Sequence, residues 1–454
     1  MAIVPSEQPG DKRVHNLHEV VLGFVKKQNL EESRRCPQCA QPTCMVCPLG
    51  IDIPGFIRLL REDDTPGALR VIRRNNPFPG ICGRICPAPC ESACIFNDEG
   101  APISIRALER YAADLGAAKA AKKKNIVKPQ GKKVAVIGSG PSGLAAAHEL
   151  ATAGHRVDVL ESMPFPGGLL RYGIPEFRLP QKVLDETIAF VESMGVEIQT
   201  NVFVGATVTV EDLFRQGCGA LLIAVGAAVP DLSLIAGHNS GGVYYAQEFL
   251  MRTQTPGKDR MFDAARSLMR GPRMAVIGGD SAAFDAARLG RRFGQDVDLV
   301  FSGLEEELTA SRPDIRRAVE EGVRLHMALE SLAILEDGEG FARAIRCRAS
   351  EIKEGPNGLV LQPSQGAPQE IEAQTVILSN GSKPNTFLAR QMPQLKCNTD
   401  GTLWVDPATG QTSVDRVFAA GTVTTGAGSV VDAIASGKAA AQNIISYLKD
   451  SHDG

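Results

Sequence analysis

Eight of the eleven cysteines fall into two dense groups, CPQCAQPTCMVCP (36–48) and CGRICPAPCESAC (82–94). Thiolates spaced this closely can enclose an inorganic cluster, and a fourth ligand often comes from the partner group. Eight cysteines are enough for two four-iron clusters, and a pair of zinc sites is the alternative. Proline directly after a ligand, as at Pro48 and Pro87, favours iron–sulfur clusters over zinc.

A glycine-rich turn in VAVIGSGPSG (134–143) follows an apolar strand and opens a helical pattern. The G-x-G-x-x-G spacing permits a tight turn, close approach of a pyrophosphate to the backbone, and close packing of helix on strand. An acidic residue that can accept the ribose hydroxyls ends the next strand. A tight turn without phosphate is the alternative to this dinucleotide site. Its candidate residues are Gly138, Gly140, Pro141, Ser142, Gly143 and Glu161.

A second turn, GGDSAAFDAAR (278–288), carries an aspartate where the first turn has its second glycine. The candidate residues are Gly278, Gly279, Asp280 and Ser281. An Asp280 carboxylate turned inward would repel a phosphate, whereas one turned outward would cap the following helix. Both interpretations remain open from the sequence.

The elements that must position these residues change character at Lys132. Residues 1–115 are predicted to be helical and loop-rich, with helical patterns at 53–75, broken by a Pro-Gly, and at 103–116. A lysine-rich linker follows. Beyond it, short β-branched strands alternate with alanine-rich helices, which is typical of an α/β fold with parallel sheets. The strand–turn–helix–strand cycle occurs twice and predicts two nucleotide-binding domains.

The amino-acid composition argues against several classes of function. The chain has 454 residues, of which 43% are hydrophobic and 22% charged, with a net charge of −3 that argues against a nucleic-acid partner. No apolar run reaches the roughly 18 residues of a membrane span. The N-terminus lacks the charged-then-apolar layout of a signal peptide, so we expect a cytoplasmic protein.

The segment PGGLLRYGIPEFRLPQKVLD (166–185) carries too many glycines and prolines for a helix. It resembles a loop found in the small subunit of glutamate synthase, the large subunit of NADH-dependent ferredoxin:NADP oxidoreductases and the N-terminal module of dihydropyrimidine dehydrogenase. The resemblance spans essentially the whole chain, through CGRICPAPCE, GSGPSGLAAAHEL, VFAAGT and GSVVDAIASGKAAA. It implies two Rossmann-like domains, a split FAD domain with an inserted NAD(P) domain, after an α-helical iron–sulfur domain. The implied boundaries are 1–130 (iron–sulfur domain and linker), 131–245 and 375–454 (FAD), and 246–374 (NAD(P)).

The resemblance also implies a ligand set for each cluster. One four-iron cluster would be held by Cys36, Cys39, Cys44 and Cys94. The other would be held by Cys47, Cys86, Cys90 and the oxygen ligand Glu109, which leaves Cys82 as a non-ligand. An ordinary helix ion pair is the alternative role for Glu109. Cys44 and Cys47 are separated by two residues, where relatives often have three.

For the flavin, the resemblance places Arg171, Tyr172, Gly173 and Ile174 near the ring; the alternative is that they only pack the loop. The FAD domain would resume near TVILSNG and end with VFAAG, where relatives have Gly-Asp and this chain has Gly421-Thr422. The remaining candidates are Gly168, Leu169, Gly226, Ser429 and Val430.

At the second turn, relatives carry paired arginines after the following strand, and this chain has Ser302-Gly303. Guanidinium pairs recognise the 2′-phosphate of NADPH, so we expect a working site to prefer NAD(H). Arg312, Arg316 and Arg317 could substitute only if their loop folded back.

Flavin joins two-electron donors to one-electron clusters. The sequence therefore predicts a redox subunit that passes electrons between NAD(H) and a partner through FAD and two 4Fe-4S clusters. A ferredoxin-like protein or a 2-oxoacid oxidoreductase is the candidate partner. Two alternatives remain: an electron-wiring subunit with a vestigial nicotinamide site, and an NADPH-dependent glutamate synthase small subunit. The nucleotide domains lack a C-x-x-C, which tells against a disulfide reductase.

Overall fold

The computed structural model describes residues 3–119, 131–232, 235–254, 261–355 and 358–450. Residues 120–130, most of the expected lysine-rich linker, lie outside the described residues. An N-terminal helical unit is followed by two units built on parallel sheets, as predicted. No described helix has the length and apolar character needed to cross a membrane.

The helical unit begins with a small antiparallel pair, β1 and β2, and continues as short helices. Its elements are β1 (Ser6–Glu7), α1 (Gly10–Arg13), β2 (Val21–Gly23), α2 (Lys26–Arg35), α3 (Ile53–Arg61), α4 (Thr65–Arg73), α5 (Pro79–Ile85), α6 (Pro89–Ser92) and α7 (Ile105–Lys119). The predicted break in the 53–75 pattern separates α3 from α4. Asp52 and Asp64 cap these helices by accepting from Gly55 N at 2.9 Å and Gly67 N at 2.8 Å.

The first parallel sheet has the order β18-β6-β3-β4-β5. Its strands are β3 (Lys133–Ile137), β4 (Arg156–Leu160), β5 (Glu197–Gln199), β6 (Cys218–Ile223) and β18 (Val417–Ala419). The helices of this unit are α8 (Pro141–Thr152), α9 (Leu169–Tyr172), α10 (Gln181–Glu192), α11 (Val210–Arg215), α16 (Phe387–Gln391), α17 (Thr422–Thr425) and α18 (Val430–Asp450). One hydrophobic core joins this sheet to the helical unit and includes Phe56, Ile81, Val134, Leu144 and Ile434.

The second parallel sheet has the order β11-β10-β9-β16-β8. Its strands are β8 (Val243–Tyr245), β9 (Arg273–Ile277), β10 (Asp296–Val300), β11 (Arg324–His326) and β16 (Thr375–Leu378). Its helices are α12 (Ala246–Gln254), α13 (Met261–Leu268), α14 (Ser281–Arg292) and α15 (Arg312–Glu320), with a 3₁₀ turn at Glu305–Glu307. An antiparallel sheet of β12 (Leu329–Glu336), β13 (Ala342–Gly355), β14 (Gly358–Pro363) and β15 (Gln369–Glu372) is attached.

The two connections between the parallel sheets pair with each other as β7 (Val229–Pro230) and β17 (Ser382–Lys383). Two predicted boundaries therefore need correction. The boundaries at 245 and 374 place β8 and β16 in the FAD domain, yet both strands belong to the second parallel sheet, where they pair with each other and β16 pairs with β9. The segment TVIL does not return to the first sheet; β18 does. A buried parallel strand has the same apolar pattern in either sheet, so the pattern predicts a strand without its partner.

A buried ion-pair network ties the N-terminal segment to the second sheet's helices. Glu321 accepts from Arg13 at 2.7 Å, Arg288 at 2.9 Å and Arg292 at 2.7 Å. Burial opposes ionisation of Glu321, but Arg288 and Arg292 outweigh it and lower the pKa of this carboxyl to about 2. The network fixes the N-terminal segment against α14 and the end of α15.

Candidate functional site

The first glycine turn, between β3 and α8, has the geometry of a dinucleotide site. Gly138 has φ of +104°, and a Cβ there would lie 2.5 Å from the carbonyl oxygen of Ala224. A Cβ on Gly143 would lie 2.0 Å from the carbonyl oxygen of Gly138, whereas Gly140 faces open space. The backbone at Gly140 is therefore accessible to a pyrophosphate at the start of α8.

Glu161 stands directly after β4 and is buried beside this turn. Its carboxylate accepts from the backbone N–H of Ser139 at 3.0 Å and of Met163 at 2.9 Å, and also from the Ser139 hydroxyl. These bonds fix the carboxylate at the edge of the turn, where the sequence predicted a partner for ribose hydroxyls.

The loop predicted to contact flavin lies directly on the turn. Gly168 has φ of +54°, and a Cβ there would lie 2.8 Å from the Cα of Gly140. Arg171 donates to Pro166 O at 2.6 Å and to Asp185 Oδ1 at 2.6 Å. The polar groups of Arg171 therefore bind other residues of the loop and the helix after it. This agrees with the alternative that Arg171 only packs the loop.

Tyr172 is likewise bound within the loop, since its hydroxyl donates to Phe165 O and accepts from Phe165 N, both at 3.0 Å. Leu169 is exposed and Gly173 and Ile174 are half-buried. Contact of these residues with the flavin ring stays a prediction.

The C-terminal segment closes over the start of α8. Gly421 has φ of +81°, and a Cβ there would lie 2.9 Å from the Cβ of Ser142. A Cβ on Gly437 of α18 would lie 2.1 Å from Ser142 O. The hydroxyl of Ser142 is buried without a hydrogen-bond partner in the described part of the chain. An orphaned hydroxyl at the first turn of a helix fits a polar ligand such as the FAD pyrophosphate.

Thr422 occupies the position where relatives carry an aspartate. Its Oγ1 accepts from Ala227 N at 2.9 Å, which holds the turn at Gly226 (φ +72°). Ser429 bonds Asp432 Oδ2 through its N–H at 3.0 Å and its hydroxyl at 2.7 Å, at the N-terminus of α18. Both side chains thus shape the backbone of the predicted flavin site.

The predicted ligands of the first cluster are called here the first cysteine group. They are Cys36, Cys39, Cys44 and Cys94. Burial raises the pKa of the Cys44 thiol to about 11, and the adjacent Cys36, Cys94 and Cys39 add to the shift. All four side chains are half-buried. The structure thus brings together the predicted first ligand set.

The predicted ligands of the second cluster, called here the second cysteine group, surround a separate cavity. Its wall includes Cys47, Cys86, Cys90 and Glu109, the predicted second set, and also Cys82. Burial raises the pKa of Cys86 to about 12, with Glu109 among the groups that add to the shift. Burial thus favours the protonated thiols, and a metal bound there would displace their protons.

Glu109 is buried, and burial raises its pKa to about 7 against a hydrogen bond from Asn76. Asn76 Nδ2 donates to Glu109 Oε1 at 2.7 Å. Glu109 lies with the thiols on the cavity wall, and the Arg106 guanidinium, three residues earlier on α7, acts to lower its pKa. Its role as a cluster ligand stays a prediction. Sequence reasoning missed Asn76, because an asparagine before PFPG is indistinguishable from a turn residue.

Close packing of α5 on α7 brings Cys82 and Glu109 to one cavity. A Cβ on Gly83 would lie 2.7 Å from both the Cα and the N of Arg110. Only glycine allows this approach, so Gly83 is a structural requirement of the second group.

In the described ranges, no three or more His, Cys, Asp or Glu side chains are placed to hold one metal ion. The ligands of a four-iron cluster point at four different irons and are spread more widely than ligands of a single ion. The convergence of four thiols and a carboxylate on one cavity, with four further thiols gathered around Cys44, therefore fits clusters better than zinc.

The second group is adjacent to the predicted flavin site. Val431 of α18 lies in the wall of the Cys47–Glu109 cavity. Its neighbours Ser429 and Val430 are flavin candidates. The same helix end therefore borders the cavity and carries residues of the predicted flavin site.

In the second glycine turn, Gly278 has φ of +144° and Asp280 caps α14. Asp280 Oδ1 accepts from Ala283 N at 2.8 Å and from Ser379 Oγ at 2.6 Å. The capping interpretation of Asp280 is confirmed. Ser281 begins the helix.

The place of Glu161 is taken in this second turn by Phe301, directly after β10. A Cβ on Gly279 would lie 2.7 Å from Phe301 Cε2 and 2.7 Å from Leu308 Cδ2. This turn therefore has an apolar cover where the first has a carboxylate.

The arginines considered as substitutes for the missing pair have other partners. Arg316 and Arg317 pair with Glu7 at 3.0 and 2.8 Å. Arg312 pairs with Glu305 at 3.0 Å. The structure does not bring them together with Ser302.

Comparison with known proteins gives two family matches. Residues 13–121 match "dihydropyrimidine dehydrogenase domain II, 4Fe-4S cluster", and residues 132–437 match "pyridine nucleotide-disulphide oxidoreductase". The NADP(+)-dependent formate dehydrogenase subunit beta of Moorella thermoacetica is 31% identical over 91% of this chain, which spans 60% of that relative. The glutamate synthase [NADPH] small chain of Escherichia coli (strain K12) is 30% identical over 98% of this chain and 97% of its own length.

Among solved structures, Mycobacterium tuberculosis FprA in complex with NADPH matches 72% of this chain and 86% of its own, with a TM-score of 0.59 and 18% identity. Thioredoxin reductase of T. acidophilum matches 71% of this chain and 99% of its own, with a TM-score of 0.53 and 18% identity. At these identities the two structures confirm the α/β fold alone.

Proposed function

Since the chain belongs to the pyridine nucleotide-disulphide oxidoreductase family and is akin over its whole length to glutamate synthase small chains, we propose that it is an electron-transfer subunit. It would pass electrons between NAD(H) and a partner redox protein through FAD and two 4Fe-4S clusters. When bound, FAD takes electrons in pairs from a nicotinamide and releases them singly.

One observation carries the proposal: Val431 lines the cavity of the second cysteine group and directly follows the flavin candidates Ser429 and Val430 at the start of α18. A shared hydrophobic core fixes the helical unit against the first parallel sheet. The two proposed cofactor sites would therefore be held at a constant separation. Rigid spacing of this kind is what electron transfer requires of a protein, since the redox chemistry belongs to the cofactors.

The first cysteine group gives the route to the surface. Met45 and Val46, between Cys44 and Cys47, and Ile95, after Cys94, have 42%, 51% and 46% of their surface exposed. The segment from Cys36 to Gly50 contains no charged residue. An apolar, uncharged face beside half-buried thiols supports docking of a partner subunit there. A ferredoxin-like protein or a 2-oxoacid oxidoreductase subunit is the proposed partner.

The proposed preference for NAD(H) over NADP(H) is supported by charge. Ser302 and Gly303 bring no cation, and Glu305, Glu306 and Glu307 follow them. Several relatives are named for NADPH or NADP(+), so an NADPH-dependent glutamate synthase small subunit is the second candidate function. Tighter binding of NADPH than NADH would favour it.

The apolar cover of Phe301 on Gly279 favours a third candidate, an electron-wiring subunit whose nicotinamide site is vestigial. Titration of the wild type and of Asp280→Gly with NADH separates this candidate from the first. No binding by the wild type, regained by Asp280→Gly, would favour the vestigial site.

The free thiols needed for clusters are maintained in a reducing compartment, which supports a cytoplasmic location. The cofactor content itself is tested on anaerobically purified chain by flavin, iron and sulfide analysis. We expect about one FAD and about eight irons per chain. Zinc in place of iron, or a chain that retains no flavin, would contradict the proposed function.

A further inference from the structure

Asn76 is fully buried between α4 and α5, beside the cavity of the second cysteine group. Its Oδ1 accepts from Phe78 N at 2.9 Å. A backbone N–H needs an acceptor, so this bond fixes which way the amide faces. Asn76 Nδ2 consequently faces Glu109 and donates to Oε1 at 2.7 Å. The Phe78 N–H therefore fixes the orientation of the Asn76 amide, and the amide in turn fixes the position of the Glu109 carboxylate.

Glu109 has a competitor in Cys82, which lines the same cavity. Iron–sulfur clusters bind thiolates in preference to carboxylates, because soft sulfur ligands suit them better. A position on the cavity wall is therefore not enough to make Glu109, and not Cys82, the fourth ligand. The Asn76 amide also acts on the Cys82 thiol, but its direct hydrogen bond, at 2.7 Å, is to Glu109 Oε1. This bond engages one carboxylate oxygen and leaves the other for a metal.

We propose that Asn76 is a positioning residue of the second cluster, which keeps Glu109 rather than Cys82 as the fourth ligand. The inference rests on the proposed function, since it requires a second four-iron cluster at Cys47, Cys86 and Cys90. Without the amide, Glu109 is free to turn from the cavity and Cys82 can take its place. An exchange of oxygen for sulfur changes the electronic environment of one cluster and leaves the other unaltered.

The test uses the full chain purified anaerobically with its clusters, as wild type, Asn76→Ser, Cys82→Ser and the double variant. Serine at 76 keeps an oxygen for Phe78 N but is too short to reach Glu109. Iron per chain, the electron paramagnetic resonance spectrum of the reduced protein and the midpoint potential of each cluster are measured. Bound FAD and the signal of the first cluster report whether each variant is folded.

We expect Asn76→Ser to keep about eight irons while the signal and potential of one cluster shift. Cys82→Ser should keep about eight irons with the wild-type signal, and the double variant should fall toward about four. An Asn76→Ser signal and potential identical to wild type would overturn the inference while leaving the proposed function intact. Loss of iron in Cys82→Ser alone would also overturn it, because Cys82 would then be the native ligand. Wild-type protein limited to about four irons would contradict the proposed function, and the inference with it.

Discussion

The aromatic ring of Phe301 packs against Gly279, where a Cβ would lie 2.7 Å from the ring. In the first turn the equivalent contact is polar, since the Ser139 N–H donates to Glu161 at 3.0 Å. The two turns follow the same strand–turn–helix path with opposite chemistry after the strand. The first has a carboxylate at the position predicted for ribose hydroxyls, and the second would have to bind any nucleotide through its backbone and neighbouring loops.

Ser302→Arg is expected to strengthen NADPH binding. A guanidinium placed after β10 can bond the 2′-phosphate, and bonds to charged groups are worth about 1.5–3 kcal/mol, or roughly tenfold or more in Kd. NADH affinity should change little. Titration of both nucleotides into the variant measures the effect, with the uncharged Ser302→Gln as control. An unchanged ratio of the two Kd values would show that Ser302 lies away from the 2′-position.

Gly83→Ala is expected to remove the second cluster and keep the first. The added Cβ would stand 2.7 Å from the backbone of Arg110 and force α5 away from α7. Iron content should fall from about eight toward about four per chain. Gly80→Ala is the matched control in the same helix, because its Cβ would meet two side chains and no backbone, a Val183 methyl group at 3.3 Å and Arg84 Nη1 at 4.0 Å. Full iron content in Gly83→Ala would contradict the assigned place of the second group.

Glu161→Ala is expected to weaken FAD retention. It removes the acceptor for the N–H groups of Ser139 and Met163, and each such bond is worth about 1 kcal/mol net. We expect the Kd for FAD to rise at least about tenfold, measured by flavin release during dilution. Glu161→Gln, which keeps one oxygen, should fall between the variant and wild type. If Glu161→Ala bound FAD as tightly as the wild type, the FAD ribose would not be bound by Glu161.

Glu321→Gln is expected to destabilise the chain strongly. It neutralises the carboxylate shared by Arg13, Arg288 and Arg292, and breaking a buried pair typically costs about 3–5 kcal/mol. The thermal midpoint should fall by about 5 °C or more. Glu320→Gln, one residue earlier at the end of α15, is the control, since the Glu320 side chain is 39% exposed and its loss leaves Arg13 paired with Glu321. Equal midpoints for the two variants would show that the network is not needed for stability.

Much of this architecture is predictable because the signals are local. Glycine spacing, the acidic residue after β4 and the cysteine groups each depend on neighbouring residues in the chain. The two strand–turn–helix units at Gly138 and Gly278 could be predicted from the sequence for the same reason.

Other features depend on contacts between distant segments. The pairing of β8 with β16, and of Asp280 with Ser379, joins residues far apart in sequence. The contact of Asn76 with Glu109 is of the same kind. The direction of the Asp280 carboxylate was open from sequence because an aspartate at a helix start can satisfy either the helix or a ligand.

The most direct test of the account is anaerobic mixing of cluster-loaded chain with NADH and, separately, with NADPH, while flavin and cluster absorbance are followed. We expect NADH to bleach the flavin rapidly and the clusters after it, with NADPH at least about tenfold slower, as loss of one charge-assisted contact implies. Bleaching by NADPH alone would contradict the specificity argued from Ser302 and Gly303. No bleaching by either nucleotide would contradict the central claim that this chain takes electrons from a nicotinamide.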